Sequence, residues 1–177
     1  MPKTKFINGI STNELDSCPA RFCVIWAPRR SGKTTFIKNR LNLSDIVVSS
    51  GTVLEHYDHW DLPASSLVRC GSPQPFRGMD LSNSVVYFDE FEHLHNLRET
   101  FTLCASAGVK KVILISSVHS FFHTQEDSSP DVTSSVVHFR DQFPIFHFHF
   151  FDYYYGIDYN KPSVFKTINK FDIMVGK

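Results

Sequence analysis

The stretch from Phe22 to Leu41 constrains the fold more than any other part of the chain. Phe22-Cys23-Val24-Ile25-Trp26 is a continuous apolar run with β-branched and aromatic members, the pattern of a strand buried on both faces. It leads into Ala27-Pro28-Arg29-Arg30-Ser31-Gly32-Lys33-Thr34. From Lys33 to Leu41 good helix formers carry Phe36, Ile37 and Leu41 at helical spacing, and Asn42 and Ser44 follow as stop signals. A buried strand that passes through a short loop straight into a helix belongs to a layered α/β fold.

The same alternation continues downstream. Asp45-Ile46-Val47-Val48-Ser49-Ser50 and Ser84-Val85-Val86-Tyr87-Phe88 read as a second and third strand, both suited to a parallel sheet. Between them Pro63, Gly71, Pro73, Pro75 and Gly78 interrupt any periodicity, so that stretch reads as loops with at most a short helix. Phe91, Leu94, Leu97, Phe101 and Leu103/Cys104 predict a helix from Glu90 to about Ala107, with Gly108 as its C-terminal stop. Lys111 to Ser117 is a fourth strand. A polar segment from His123 to Ser135 reads as an exposed loop. Val136 to Phe139 and Ile145 to Phe151 read as further strands. The expected fold is α/β, a three-layer sandwich with a mostly parallel central sheet. One domain spans residues 1–177, with its core at about 20–120 and the loop plus C-terminal strands at 121–177.

Bulk properties narrow the function classes. The hydrophobic share is 42% against 20% charged residues, and no run of eighteen apolar residues occurs, so no membrane segment is expected. Met1-Pro2-Lys3-Thr4-Lys5-Phe6 lacks the apolar stretch of a secretory signal, and an intracellular setting is expected. Cys18, Cys23, Cys70 and Cys104 form no C-x-x-C pair and are read as reduced thiols. Eighteen basic side chains balance eighteen acidic ones, so nucleic acid would have to be met by a local patch or by an assembly.

The chemistry starts in the loop. Against the pattern G-x-x-x-x-G-K-[ST], Ala27 replaces the first glycine, while Gly32, Lys33 and Thr34 match. With alanine allowed at the first position, the string arises by chance in roughly one chain of this length in a hundred. Its place between a strand and a helix is the context that the motif demands. The loop from Ala27 to Thr35, through Pro28, Arg29, Arg30 and Ser31, would wrap a β-phosphate with the backbone N–H groups of its residues other than Pro28. Lys33 would reach the β- and γ-oxygens, and the Thr34 hydroxyl would ligate magnesium. The bland alternative is an ordinary Gly-Lys-Thr turn.

Val85-Val86-Tyr87-Phe88 ends in Asp89-Glu90. Acids at the carboxyl end of a buried strand lie where open α/β sheets bind ligands. Asp89 is the candidate magnesium partner and Glu90 the candidate base for an attacking water. The alternative is a solvated acidic helix start.

Strand, loop, helix, a strand with Asp-Glu, helix, and a strand tipped by Ser116-Ser117 together resemble the additional-strand catalytic-glutamate branch of P-loop ATPases, over about residues 20–120. The Arg-Arg-Ser-Gly-Lys-Thr form and the short chain are similar to the small viral genome-packaging ATPases of the FtsK/HerA type, related to the poxvirus-type packaging ATPase. That subfamily carries glutamine where Ser116 stands. The resemblance implies Mg²⁺ with ATP, a γ-phosphate sensor at Ser116 or Ser117, DNA as partner and self-association into a ring. It also implies an arginine at the γ-phosphate, for which Arg29, Arg30, Arg98 and Arg140 are the candidates.

Other readings share parts of this pattern. A nucleoside or nucleotide kinase also runs strand, loop, helix and Asp-Glu, but no cysteine follows Cys104 to build the zinc set usual in the thymidine-kinase-like group. A helicase-type ATPase and a nucleotide-binding scaffold without turnover are further alternatives. His147 and His149 would share one strand face, but no metal set is complete, and their alternation with Phe146, Phe148 and Phe150 fits a half-buried strand. His93 and His95 are too close on a helix to face together. Tyr153, Tyr154, Tyr155 and Tyr159 suit packing or base stacking.

Overall fold

The computed structural model describes residues 12–28, 32–49, 67–69, 78–91, 94, 96–117 and 139–152. Their elements, in chain order, are α1 (Thr12–Ser17), β1 (Phe22–Trp26), α2 (Lys33–Arg40), β2 (Ile46–Ser49), β3 (Leu67–Arg69), β4 (Val85–Asp89), α3 (Leu97–Ser106), β5 (Lys111–Ser116) and β6 (Phe148–Asp152). The strands form one six-stranded sheet in the order β3-β2-β4-β5-β1-β6. Every pairing is parallel. The fold is therefore α/β, and all carboxyl ends of the strands share one edge of the sheet.

Side chains of successive strand residues point to opposite faces, and each face holds its own core. Phe22, Val24, Trp26, Val86, Phe88, Val112 and Leu114 pack with α3 residues such as Phe101 and Cys104. Cys23, Ile25, Val47, Tyr87, Ile113 and Ile115 pack with Leu15 of α1 and Phe36 and Ile37 of α2. Helices thus cover the sheet on both sides. Every residue of β1 is buried, which explains why its sequence is continuously apolar rather than alternating.

The α3 face is unusually aromatic. Phe101 makes edge contacts with Phe22 at 5.7 Å and with Phe88 at 5.6 Å between ring centroids, and Phe139 meets Phe148 at 5.0 Å. Such pairs contribute about 0.5–1.5 kcal/mol each beyond the area they bury. They anchor the segment that precedes β6, where Phe139, Phe143 and Phe146 are all buried. His147 is exposed while Phe148 and Phe150 are buried, so β6 turns its phenylalanines to the core.

The helix expected over Glu90 to Ala107 is shorter, running from Leu97 to Ser106. Glu90 at φ 50° and Asn96 at φ 58° sit in the left-handed region, and either one interrupts a right-handed helix. Phe91 and Leu94 keep their apolar role outside the α-helix, Phe91 in a 3-10 turn. Both are buried, and the Leu94 N–H donates to the Phe91 carbonyl. The C-terminal stop is where the sequence puts it. Gly108 has φ 75°, its N–H donates to the Ala105 carbonyl, and the Val109 N–H donates to that of Cys104, a Schellman pair.

Two further expectations change, and α1 is an element to which the sequence pattern assigns nothing. β3 lies in the stretch read as loops, and α1 precedes the first strand. Phe139, expected in a strand, is helical, as are residues 140–142. The expected 123–135 loop, His93, His95 and the tyrosines beyond Asp152 lie outside the described residues.

Burial controls the thiols. It pushes Cys23 and Cys104 from the usual 9.0 up to about 12, Lys111 opposing the shift at Cys23. The sign for stability follows from linkage. Below pH 9 both states hold these protons; above it the unfolded chain releases them while the folded chain keeps them. Stability is therefore expected to be level up to pH 9 and to fall as pH rises beyond it, by up to about 2.7 kcal/mol per pH unit for two thiols. Urea unfolding at pH 8, 9 and 10 measures this slope, and the Cys23→Ala/Cys104→Ala variant should flatten it.

Candidate active site

At the carboxyl edge of the sheet, β1 runs into Ala27 and Pro28, and the Ala27 N–H donates to the Ser116 carbonyl at 3.1 Å. This bond ties the base of the loop to the tip of β5. Gly32 precedes α2 with φ 90° and ψ 22°, a conformation that costs glycine nothing and any L side chain about 1–2 kcal/mol. Its carbonyl accepts the Phe36 N–H at 2.8 Å, the first turn of α2. The glycine of the motif is thus required by backbone geometry.

Lys33 and Thr34 open α2, and each reaches a different partner. The Lys33 ammonium donates to the Pro28 carbonyl at 2.7 Å. The Thr34 hydroxyl donates to Asp89 Oδ2 at 3.3 Å. That contact joins residues 55 apart in the chain and brings the loop and the acidic strand into one site. Asp89 is 1% exposed at the end of β4, on the face that carries Tyr87 and looks toward α2.

Thr34 and Asp89 suit magnesium. A hydroxyl and one carboxylate are hard oxygen donors, and magnesium is commonly held by one or two such groups with water and phosphate oxygens completing the shell. With the Thr34 proton turned to Asp89, its lone pairs are free to face an ion. Among the described residues no group of three or more His, Cys, Asp or Glu side chains offers a separate metal site.

Glu90 follows Asp89 at the strand end, partly exposed, with φ 50°. A non-glycine residue held in this region costs of order 1–3 kcal/mol, and such residues cluster at functional sites. The left-handed step turns the chain out of the sheet, so that consecutive acids leave the strand in different directions.

β5 stands between β1 and β4, with Trp26 in register with Ser116 and Asp89 with Ile115. Ser116 shares the face of Val112 and Leu114, away from the face that carries Asp89. Ser117, 7% exposed, is the first residue beyond β5. Of the two candidate sensors, Ser116 turns its side chain away from Asp89's face and contributes its carbonyl to the loop.

Among the loop residues read as phosphate ligands, Ala27 is buried, Pro28 and Gly32 to Thr34 are half-buried, and Thr35 is exposed. Arg29, Arg30 and Ser31 lie outside the described residues. Arg98 donates to the Gln142 carbonyl, while Arg140 donates to that of Phe148 and lies 4.8 Å from the Phe150 ring. Both guanidiniums clamp the segment before β6 to its own domain. Ser49, not singled out in the sequence, donates its hydroxyl to the Asp89 carbonyl.

No protein-family model matches the chain, and no curated protein does. Two cavities, of about 470 and 500 Å³, open at the opposite, amino-terminal edge of the strands. One is lined by Arg21 and Phe22 and the other by Val85, Lys110 and Lys111, so neither involves Lys33, Thr34 or Asp89. Among the described residues, no helix is long and apolar enough to cross a membrane.

Proposed function

We propose that this chain is a P-loop ATPase of the additional-strand catalytic-glutamate branch that binds and hydrolyses ATP with Mg²⁺. The observation that carries the reading is the contact of Thr34 with Asp89, which unites the Gly-Lys-Thr loop with the acidic strand. Its support is topological. A strand, β5, separates the loop strand β1 from the acid strand β4, the arrangement for which that branch is named.

The roles follow from position. The loop N–H groups and the α2 N-terminus bind the phosphates, and the Lys33 ammonium exchanges the Pro28 carbonyl for β- and γ-oxygens. Thr34 and Asp89 would hold magnesium, which when bound would neutralise charge developing on the phosphate oxygens. Glu90 accepts a proton from the attacking water as that water's oxygen bonds to the γ-phosphorus and the bond to ADP breaks. Ser117 donates to a γ-oxygen. Arg30 or Arg29 supplies the cation near the transferred group.

We propose further that turnover drives movement of DNA by a ring of subunits, as in the viral packaging ATPases that the loop resembles. The test is ATP turnover by the chain with and without DNA. Hydrolysis that needs Mg²⁺ and rises severalfold with DNA is the expected result. Phosphate transfer to a nucleoside with little hydrolysis would show a kinase instead.

A further inference from the structure

We infer that Ser49, at the tip of β2, is a positioning residue that holds the Asp89–Glu90 peptide and through it the Glu90 carboxylate. The inference rests on the ATPase reading above and adds to it a residue that touches neither phosphate nor metal.

β2 and β4 are paired from Ile46↔Val86 through Val48↔Phe88, and there the ladder stops. Ser49 is the next residue, 0% exposed, and its hydroxyl donates to the carbonyl oxygen of Asp89. A side chain thus takes over where backbone pairing ends. On its other flank, Asp89 is held in register with Ile115 of β5, and its side chain accepts the Thr34 hydroxyl. Residue 89 is fixed from β2, β5 and α2 together.

The consequence falls on the next residue. The Asp89 carbonyl belongs to the peptide plane that joins Asp89 to Glu90, so its hydrogen bond sets the orientation of that plane. Glu90 leaves it at φ 50°, a conformation that persists only where the surroundings hold it. With the Ser49 hydroxyl removed, rotation of this peptide lets Glu90 relax to negative φ and swings its carboxylate away from the γ-phosphate. Asp89, Thr34 and Lys33 keep their own contacts, so nucleotide and magnesium binding should be spared.

The experiment compares steady-state ATP hydrolysis, fluorescent-nucleotide affinity and Tm for wild type, Ser49→Ala and Ser49→Thr. Ser49→Ala is expected to lower kcat about tenfold, the size of one hydrogen bond's contribution, with nucleotide affinity within about twofold of wild type. Ser49→Thr, which restores a hydroxyl, is expected to recover most of the rate. The isosteric Ser49→Cys, a weak donor, carries the same expectation as alanine and replaces it if that variant does not fold. A folded alanine or cysteine variant with kcat within twofold of wild type overturns the role of Ser49 alone. Loss of nucleotide affinity equal to the loss of rate overturns it too. A wild-type chain that binds and hydrolyses no ATP overturns the ATPase reading and this role with it.

Discussion

Replacing Glu90 by glutamine is expected to lower kcat for ATP hydrolysis by about 10²–10⁴, with nucleotide affinity within about twofold of wild type. The substitution isolates the carboxylate. Glutamine has the same Cβ and nearly the same shape, so the strain of φ 50° at position 90 is equal in both chains and cannot account for a difference in rate. Asp89 remains bonded to Thr34, and the residues proposed for magnesium and phosphate are unchanged. What disappears is the acceptor for a proton from the attacking water. Single-turnover hydrolysis beside equilibrium binding of a fluorescent ATP analogue separates the two effects. A Glu90→Gln variant that turns over at the wild-type rate would remove Glu90 as base.

The second large effect is expected at Lys33. Lys33→Ala should weaken ATP binding by about 10–100-fold, since a hydrogen bond to a charged group contributes roughly 1.5–3 kcal/mol. In the free protein this ammonium is held by the Pro28 carbonyl, 2.7 Å away, within reach of whatever occupies the loop. Its loss leaves the fold in place. Gly32 still takes φ 90° and still accepts the Phe36 N–H, and Phe36 and Ile37 still bury the α2 face. A variant with an unchanged Tm and weakened binding is the expected pair of readings. Binding within twofold of wild type would mean that Lys33 does not touch the phosphates.

These two variants divide the site by function, because one acts on affinity and the other on rate. The Ser49 series extends the division to a residue that acts through the backbone.

Much of this architecture is written locally. β1, β2, β4 and β5 lie in apolar runs because strands covered on both faces need apolar residues at every position, and such runs stand out in any reading of the chain. α2 is equally legible. Its boundaries follow from helix formers after a glycine and from polar stops after Leu41, and Gly32 and Gly108 occur where positive φ is needed. The loop motif, the acidic strand end and the serine tip needed only their spacing and their places relative to strands.

Other features depend on contacts between distant segments. β3 is a three-residue edge strand in a stretch rich in proline and glycine, and it exists because β2 offers it an edge. The late start of α3 follows from left-handed turns at Glu90 and Asn96, residue types with no local requirement for positive φ. The sheet packing of Phe91 and Leu94 holds that segment against its helical preference. The strand order is likewise absent from the alternating pattern, since the same sequence of strands and helices is compatible with several orders of a parallel sheet.

The site divides along the same line. The sequence by itself determined which residues have the chemistry for phosphate, magnesium and a water proton, because that chemistry depends on residue type and short spacing. Only the tertiary structure decided that Thr34 meets Asp89, that the Ser116 side chain lies on the face away from Asp89, and that Ser49 holds the Asp89 carbonyl. Those facts depend on register between strands far apart in the chain, and register is set by packing across the sheet.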